Sequence, residues 1–114
     1  MNKCKITVLK TTFHEDLAKE YGVKGIGKCP MHKEGQVFYA DYAKPEGFCD
    51  EAWKAMYQYV FAIAHCSGVL YYGDWIDKEG VAICSCNDGL RPVIFKIEKT
   101  DEVATLDYTP VMYL

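Results

Sequence analysis

One long helical pattern in the middle of the chain constrains the fold more than any other sequence feature. From Asp50 to about Ser67, charged and polar side chains such as Glu51 and His65 lie opposite an apolar stripe, and Gly68 closes the pattern. The stripe consists of Cys49, Ala52, Trp53, Met56, Val60 and Ile63. An amphipathic helix must bury its apolar stripe against another element. Because the other long patterns are typical of strands, the predicted partner is a β-sheet.

The strand patterns lie in segments 4–9, 36–42, 81–86 and 91–98. In the first, Cys4, Ile6 and Val8 alternate with polar residues, which places them on one buried face. The last two are separated by Asn87-Asp88-Gly89, a turn sequence typical of a β-hairpin. We therefore expect an α+β domain: a small, mainly antiparallel sheet or a partly closed barrel, with the long helix packed on one face.

A second, shorter helix is predicted after the first strand. Thr12 and Glu15 have the spacing of a capping box, in which each side chain satisfies an N–H group of the first turn. Phe13, Leu17 and Tyr21 then recur at intervals of four, and Gly22 ends the pattern. The segment from Val69 to Tyr72 predicts another strand or an extended return.

Length and charge restrict the domain organisation and the partners. The chain has 114 residues, which is the size of one domain, so we expect a single domain over residues 1–114. Half of the residues are hydrophobic, which is enough for a core without disulfide bonds. The net charge is −3 and the signs are interspersed, whereas binding to nucleic acid requires a concentrated basic face. Nucleic acid is therefore not an expected partner.

The hydropathy pattern argues against a membrane. The N-terminus lacks the apolar stretch of a signal peptide, and the most apolar segment, Val60 to Ala64, is far shorter than the ~20 residues of a membrane span. We expect a cytoplasmic protein. In that compartment six cysteines are expected to be mostly reduced, as core residues, metal ligands or redox groups.

Three cysteines lie in loops or at the ends of predicted elements, where a sulfur atom can be accessible. Cys29 lies in a loop rich in glycine and proline, Cys49 lies at the start of the long helix, where the macrodipole favours an anion, and Cys86 leads into the hairpin turn. His32 follows Cys29 with the Cys-x-x-His spacing that can chelate one metal ion. Together the four side chains predict a tetrahedral site for zinc or another thiophilic metal, and the sulfurs alone predict a redox or nucleophilic thiol site.

Other interpretations of the cysteines remain open. Reduced cysteine often packs as a small hydrophobic residue, which suits Cys49 on its apolar stripe. Cys4 is expected in the core, and Cys66 and Cys84 are not expected to join the site. In this alternative the protein is a non-catalytic interaction domain, homo-oligomeric through the aromatic tail from Tyr108 to Leu114. No residue pattern identifies a reaction, so the sequence leaves enzymatic activity undecided.

Five short runs of residues form a further pattern: Cys29-Pro30, Gly35-Gln36-Val37-Phe38, Pro45-Glu46-Gly47-Phe48-Cys49, Ala52-Trp53 and the run from Cys86-Asn87-Asp88-Gly89 through Leu90-Arg91-Pro92-Val93-Ile94-Phe95. Together these runs resemble an uncharacterised family of proteins of about 100 residues from bacteria and archaea, often anaerobes. The resemblance covers roughly residues 3–99 and leaves out the tail from 100 to 114. It implies a compact module with cysteines at positions 29, 49 and 86, and it implies no reaction.

Overall fold

The computed structural model describes residues 1–41, 43–65 and 68–105, with only the backbone of Tyr72. It contains four strands, two α-helices and one short 3₁₀ helix among these residues. In chain order they are β1 (Asn2–Thr11), α1 (Glu15–Tyr21), β2 (Val37–Ala40), α2 (Asp50–His65), the 3₁₀ helix (Leu70–Gly73), β3 (Val81–Ser85) and β4 (Val93–Val103).

The strands form one antiparallel sheet in the order β2-β1-β4-β3. The two long strands occupy its centre, where Ile6 of β1 pairs with Ile97 of β4. Strands β2 and β3 are its two edges, and within the described part of the chain they do not pair with each other. The α+β class and the antiparallel sheet are confirmed, whereas a partly closed barrel is not supported because the sheet stays open.

The core lies between α2 and one face of the sheet. Alternate residues in the middle of β1 and in the first half of β4 face it, and for β1 the sequence predicts this alternation. Burying a large apolar side chain contributes roughly 1.5–3 kcal/mol, so these faces supply most of the stabilisation. The buried residues of these three elements are Cys4, Ile6 and Val8 of β1, Val93, Phe95 and Ile97 of β4, and Ala52, Met56, Val60, Ile63 and Ala64 of α2.

The start of α1 differs from the prediction. No side chain caps the helix at His14, so the capping box of Thr12 and Glu15 does not form. The Thr12 hydroxyl instead donates to the carbonyl of Pro92 at 2.5 Å. A tertiary hydrogen bond to the β3–β4 connection has therefore replaced the local one.

The predicted apolar stripe of α1 is also wrong. The side chains of Leu17 and Tyr21 are 40% and 72% exposed, and Ala18 is the buried residue of this helix. The predicted end is confirmed, because the Gly22 N–H donates to the Ala18 carbonyl at 2.8 Å. A Cβ atom at Gly22 would lie 2.7 Å from that oxygen, which explains why glycine suits the position.

The second half of the chain contains the predicted hairpin. Strands β3 and β4 are antiparallel, with Ser85 opposite Ile94, and Pro92 lies at the entry to β4. Residues 70–73 form the 3₁₀ helix where a strand or extended return is predicted. Cys66 and the tail from Tyr108 to Leu114 lie outside the described residues. None of the described helices is long and apolar enough to cross a membrane.

Candidate functional site

The topology brings three connecting segments to one end of the sheet. Because neighbouring strands are antiparallel, β1 and β3 end where β2 and β4 begin. Cys29 and His32 precede β2, and Cys86 follows β3 directly. A hydrogen bond from the backbone N–H of Cys49 to Nε2 of His32, 3.2 Å long, places the start of α2 at the same end. Three chain segments that are distant in sequence thus meet there.

His32 is the most unusual residue at this end. It is only 4% exposed, although its loop is rich in glycine and proline. Its ring centroid lies 5.1 Å from that of Phe38, 5.3 Å from Phe48 and 6.0 Å from Phe95. The sequence spacing predicts a displayed ligand at this position, but the imidazole is enclosed by aromatic rings.

The hydrogen bonding of His32 defines its protonation state. Nε2 accepts from the Cys49 N–H, so the neutral ring carries its proton on Nδ1. That atom is buried and has no hydrogen-bond partner among the described residues. Burial lowers the pKa of His32, and the nearby Gln36 side chain and Met31 backbone oppose this only in part. The imidazole is therefore a neutral acceptor at the start of α2.

This hydrogen bonding affects whether His32 can act as a metal ligand. A neutral imidazole binds a metal through a nitrogen lone pair. The lone pair of Nε2 is used by the Cys49 N–H, and Nδ1 carries the proton. Metal binding by His32 thus stays a prediction, and it requires that this hydrogen bond be broken.

Cys86 takes part in closing the hairpin. Its backbone N–H donates to the carbonyl of Val93 at 3.1 Å, and the Val93 N–H donates to Sγ of Cys86 at 3.3 Å. The sulfur is half-buried and has a fixed backbone donor beside it. Its position just beyond β3 is the one that the Asn-Asp-Gly turn predicts.

An ion pair orders the turn that follows. Oδ1 of Asp88 accepts the N–H groups of Leu90 and Arg91 at 2.9 and 3.2 Å, and Nε of Arg91 donates to Oδ2 at 2.8 Å. Burial disfavours the charged Asp88, but the bonds from Arg91 and Leu90 outweigh it and hold the pKa of the carboxyl below its usual value. The turn is therefore rigidly built around one carboxylate.

Arg91 connects this turn to two of the cysteines. The hydrogen bond to Asp88 is the main reason why the pKa of Arg91 is raised, and Cys29 and Cys86 add smaller electrostatic contributions in the same direction. Both sulfur groups therefore lie within electrostatic range of one guanidinium. The proximity of Arg91 to Cys29 depends on a long-range contact that has no local signal in the sequence.

Cys49 lies at the junction between the loop and α2. It is half-buried, and its carbonyl accepts the Trp53 N–H at 2.9 Å, as the first bond of a helix requires. The helix start is also linked to the hairpin turn, because Nδ2 of Asn87 donates a hydrogen bond to Oε2 of Glu51 at 3.5 Å. The three half-buried cysteines are thus attached to one framework.

The remaining described cysteines belong to the core. Cys4 is fully buried and its Sγ donates to the Val60 carbonyl at 3.7 Å. Burial raises the pKa of Cys4 to about 11 and the pKa of Cys84 to about 12. Both thiols stay protonated and inert, as expected for core residues.

Over residues 1–41, 43–65 and 68–105, no group of three or more His, Cys, Asp or Glu side chains is arranged to hold a metal ion. Comparisons with protein-family models, curated proteins and solved structures find no match to this chain. The residues at this end of the sheet are therefore the main indication of function.

Proposed function

We propose that the protein carries a cysteine-based site at the end of the sheet where Cys29, Cys49 and Cys86 lie. In its first form the site is redox-active, with two thiols converting to a disulfide. In its second form the same sulfurs bind zinc or another thiophilic metal, with His32 as an optional fourth ligand. Both forms require that sulfur atoms from different chain segments act together.

The observation that carries the proposal is the position of Arg91. Its guanidinium lies within electrostatic range of both Cys29 and Cys86, and these are half-buried rather than sealed in the core. Reactive cysteines are typically partly exposed and near a positive charge. Cys4 and Cys84 lack this setting, because both are buried on the inner face of the sheet.

The redox form has a defined electron balance. Oxidation of two thiols to one disulfide releases two electrons and two protons. Hydrogen peroxide takes up both electrons and both protons and leaves as two molecules of water. The products are a protein disulfide and water, and an external thiol restores the reduced site by exchange.

The experiment that tests the proposal starts from reduced protein purified without oxygen. Metal content is measured by elemental analysis, Zn²⁺ and Cd²⁺ are titrated in, and free thiols are counted before and after hydrogen peroxide. We expect either stoichiometric metal binding or the paired loss of thiols. Serine at position 29, 49 or 86 should weaken the response, whereas the matched control Cys84→Ala should retain it.

The opposite result is equally clear. The proposal fails if Zn²⁺ and Cd²⁺ do not bind and if the thiols of Cys29, Cys49 and Cys86 react with peroxide one at a time, each unaffected by loss of the others. Disulfide mapping by mass spectrometry would reveal such independence.

A second candidate function is favoured by rings on the surface of α2. Trp53, Tyr57, Phe61 and His65, here called the aromatic row, follow one another along the helix, and Tyr57 and Phe61 are 41% and 45% exposed. Such a surface is typical of an interaction domain without catalysis. Its oligomeric version joins copies through residues 108–114. Light scattering after size exclusion tests this, and a monomer at every concentration would contradict it.

Three further expectations belong to this proposal. Membership of the uncharacterised bacterial and archaeal family is supported by the Cys29, Cys49 and Cys86 segments that carry the resemblance. A cytoplasmic location remains part of the proposal, and the interspersed charges support partners other than nucleic acid.

A further inference from the structure

Strand β3 leaves one edge of the sheet open. Among the described strands it pairs only with β4, and this pairing has no register shift. Proteins usually protect such an edge with charged residues, proline or a bulge, because unpaired N–H and C=O groups are a template for another strand. The residues of β3, Val81–Ser85, include no charge and no proline. This edge is therefore able to pair with a further strand.

The hydrogen bonds to β4 determine which backbone groups face the open edge. The Cys86 N–H donates to the Val93 carbonyl, and the Lys99 N–H donates to the Gly80 carbonyl. In an antiparallel pair, bonded positions alternate with positions whose N–H and C=O groups point the other way. The even-numbered residues of β3 therefore bond to β4. The odd-numbered residues, which direct their backbone groups to the open edge, are Val81, Ile83 and Ser85.

The open edge is complementary to itself. When the β3 strand of a second copy lies antiparallel to the first with Ile83 opposite Ile83, Val81 of each copy lies opposite Ser85 of the other. Both members of each pair then direct their N–H and C=O groups at each other, so each pair can exchange two hydrogen bonds. No charged side chain of β3 meets another, because the strand has none. A twofold axis at Ile83 therefore satisfies the whole edge, as an isologous interface requires.

Open space and exposed apolar side chains lie beside this edge. One cleft lies between α2 and β3, and a second lies on the other face of the sheet; Ile83 and Trp75 border both. Ile83 is 41% exposed and Trp75 is 67% exposed, and the indole stacks on the ring of Tyr71 at 4.5 Å. A partner strand would cover Ile83 and part of the indole. Pairing would therefore add apolar burial to the backbone hydrogen bonds.

We propose that two copies of this chain associate through their β3 edges, with Ile83 at the twofold axis. The two four-stranded sheets then form one continuous sheet, and the α2 helices of both copies lie on the same face of it. A second copy is the occupant that the edge itself specifies, because Val81, Ile83 and Ser85 supply both sides of the pairing. This interface is independent of the cysteine site and of residues 108–114.

Charge substitutions at position 83 test the register. Ile83→Glu and Ile83→Lys each place like charges opposite each other across the axis, which destabilises strand pairing. Val37→Glu is the matched control, because Val37 is 39% exposed and lies on the other edge strand, β2. Light scattering after size exclusion, from about 1 µM to about 1 mM, covers the affinities of a small interface. We expect wild type and Val37→Glu to dimerise equally.

For either variant at position 83 the dissociation constant should rise at least about tenfold, which corresponds to the loss of one apolar contact. An equal mixture of Ile83→Glu and Ile83→Lys should dimerise more strongly than either variant alone, because opposite charges then face each other across the axis. Circular dichroism shows whether each variant keeps its fold. A mixture of folded variants that stays monomeric would overturn the proposal.

Hydrogen exchange of wild type tests the same interface without a substitution. The amides of Val81, Ile83 and Ser85 should be protected at concentrations that give the dimer and should exchange quickly after dilution to the monomer. Three results would contradict the proposal: a wild type that is monomeric at every concentration, a dimer that Ile83→Glu does not weaken, or edge amides that exchange quickly within the dimer. The second result would place the interface elsewhere on the chain.

Discussion

Replacing His32 by phenylalanine should remove a specific loss of stability in mild acid. The folded protein keeps the imidazole neutral, since Nε2 accepts the Cys49 N–H and burial lowers the pKa of the ring. The unfolded chain has a histidine pKa of about 6.5. As the pH falls below that value, the unfolded state binds a proton that the folded state does not bind, so the free energy of unfolding decreases.

The size of the effect follows from the same linkage. Above about pH 6.5 the ring is neutral in both states and the contribution is fully present. Below it, stability is lost at up to about 1.4 kcal/mol per pH unit until the folded pKa is reached. One pH unit below the unfolded pKa, the largest loss from His32 is therefore about 1.4 kcal/mol.

Urea unfolding measures this loss directly. Wild type, His32→Phe and the control His14→Gln are compared at about pH 7.5 and about pH 5.5, with m-values checked for two-state behaviour. Phenylalanine suits the surrounding rings of Phe38, Phe48 and Phe95 and carries no titratable group. We expect a smaller decrease in stability for His32→Phe and the wild-type decrease for His14→Gln, whose histidine is exposed in the folded protein. An equal decrease in all three proteins would show that His32 does not cause the loss of stability in acid.

Three further changes test the fold. Phe95→Ala should destabilise by about 3–5 kcal/mol in urea unfolding, because the ring is fully buried between the helix and the sheet; a cost below about 1 kcal/mol would contradict the packing. Gly22→Ala should destabilise by about 1–3 kcal/mol, since the new methyl group would lie 2.7 Å from the Ala18 carbonyl oxygen, whereas Tyr21→Ser, at a 72% exposed side chain, should change thermal stability by less than about 0.5 kcal/mol. Asp88→Ala should lower the melting temperature and abolish the part of the stability that wild type loses as the pH falls through the lowered pKa of this carboxyl; an unchanged acid profile would show that the turn does not depend on it.

Sequence reasoning succeeded where the signal is local and periodic. The alternation of Ile6 and Val8 in β1 identified the buried face of this strand, because that face packs against α2. The hairpin turn could also be predicted from the sequence, because Asp88 forms its hydrogen bonds with residues at most three positions away.

The features that the sequence did not predict depend on long-range contacts. The Thr12 hydroxyl was predicted to cap α1, but the carbonyl of Pro92 competes for it. The burial of His32 depends on three phenylalanines from separate segments, and no local sequence pattern predicts that their rings surround it. Whether the sheet closes into a barrel likewise depends on how its two edge strands meet, which periodicity within each strand does not encode.

The central position of the β1–β4 pair affects how the chain folds. Among the described elements, strand β1 is synthesised first and its main partner β4 is synthesised last. Edge strands β2 and β3 each pair with one of these two, so the sheet cannot be complete before β4 has been synthesised. Such high contact order slows folding and leaves apolar strand faces exposed for longer. We therefore expect the domain to fold only once β4 is available, in a step that depends on this strand.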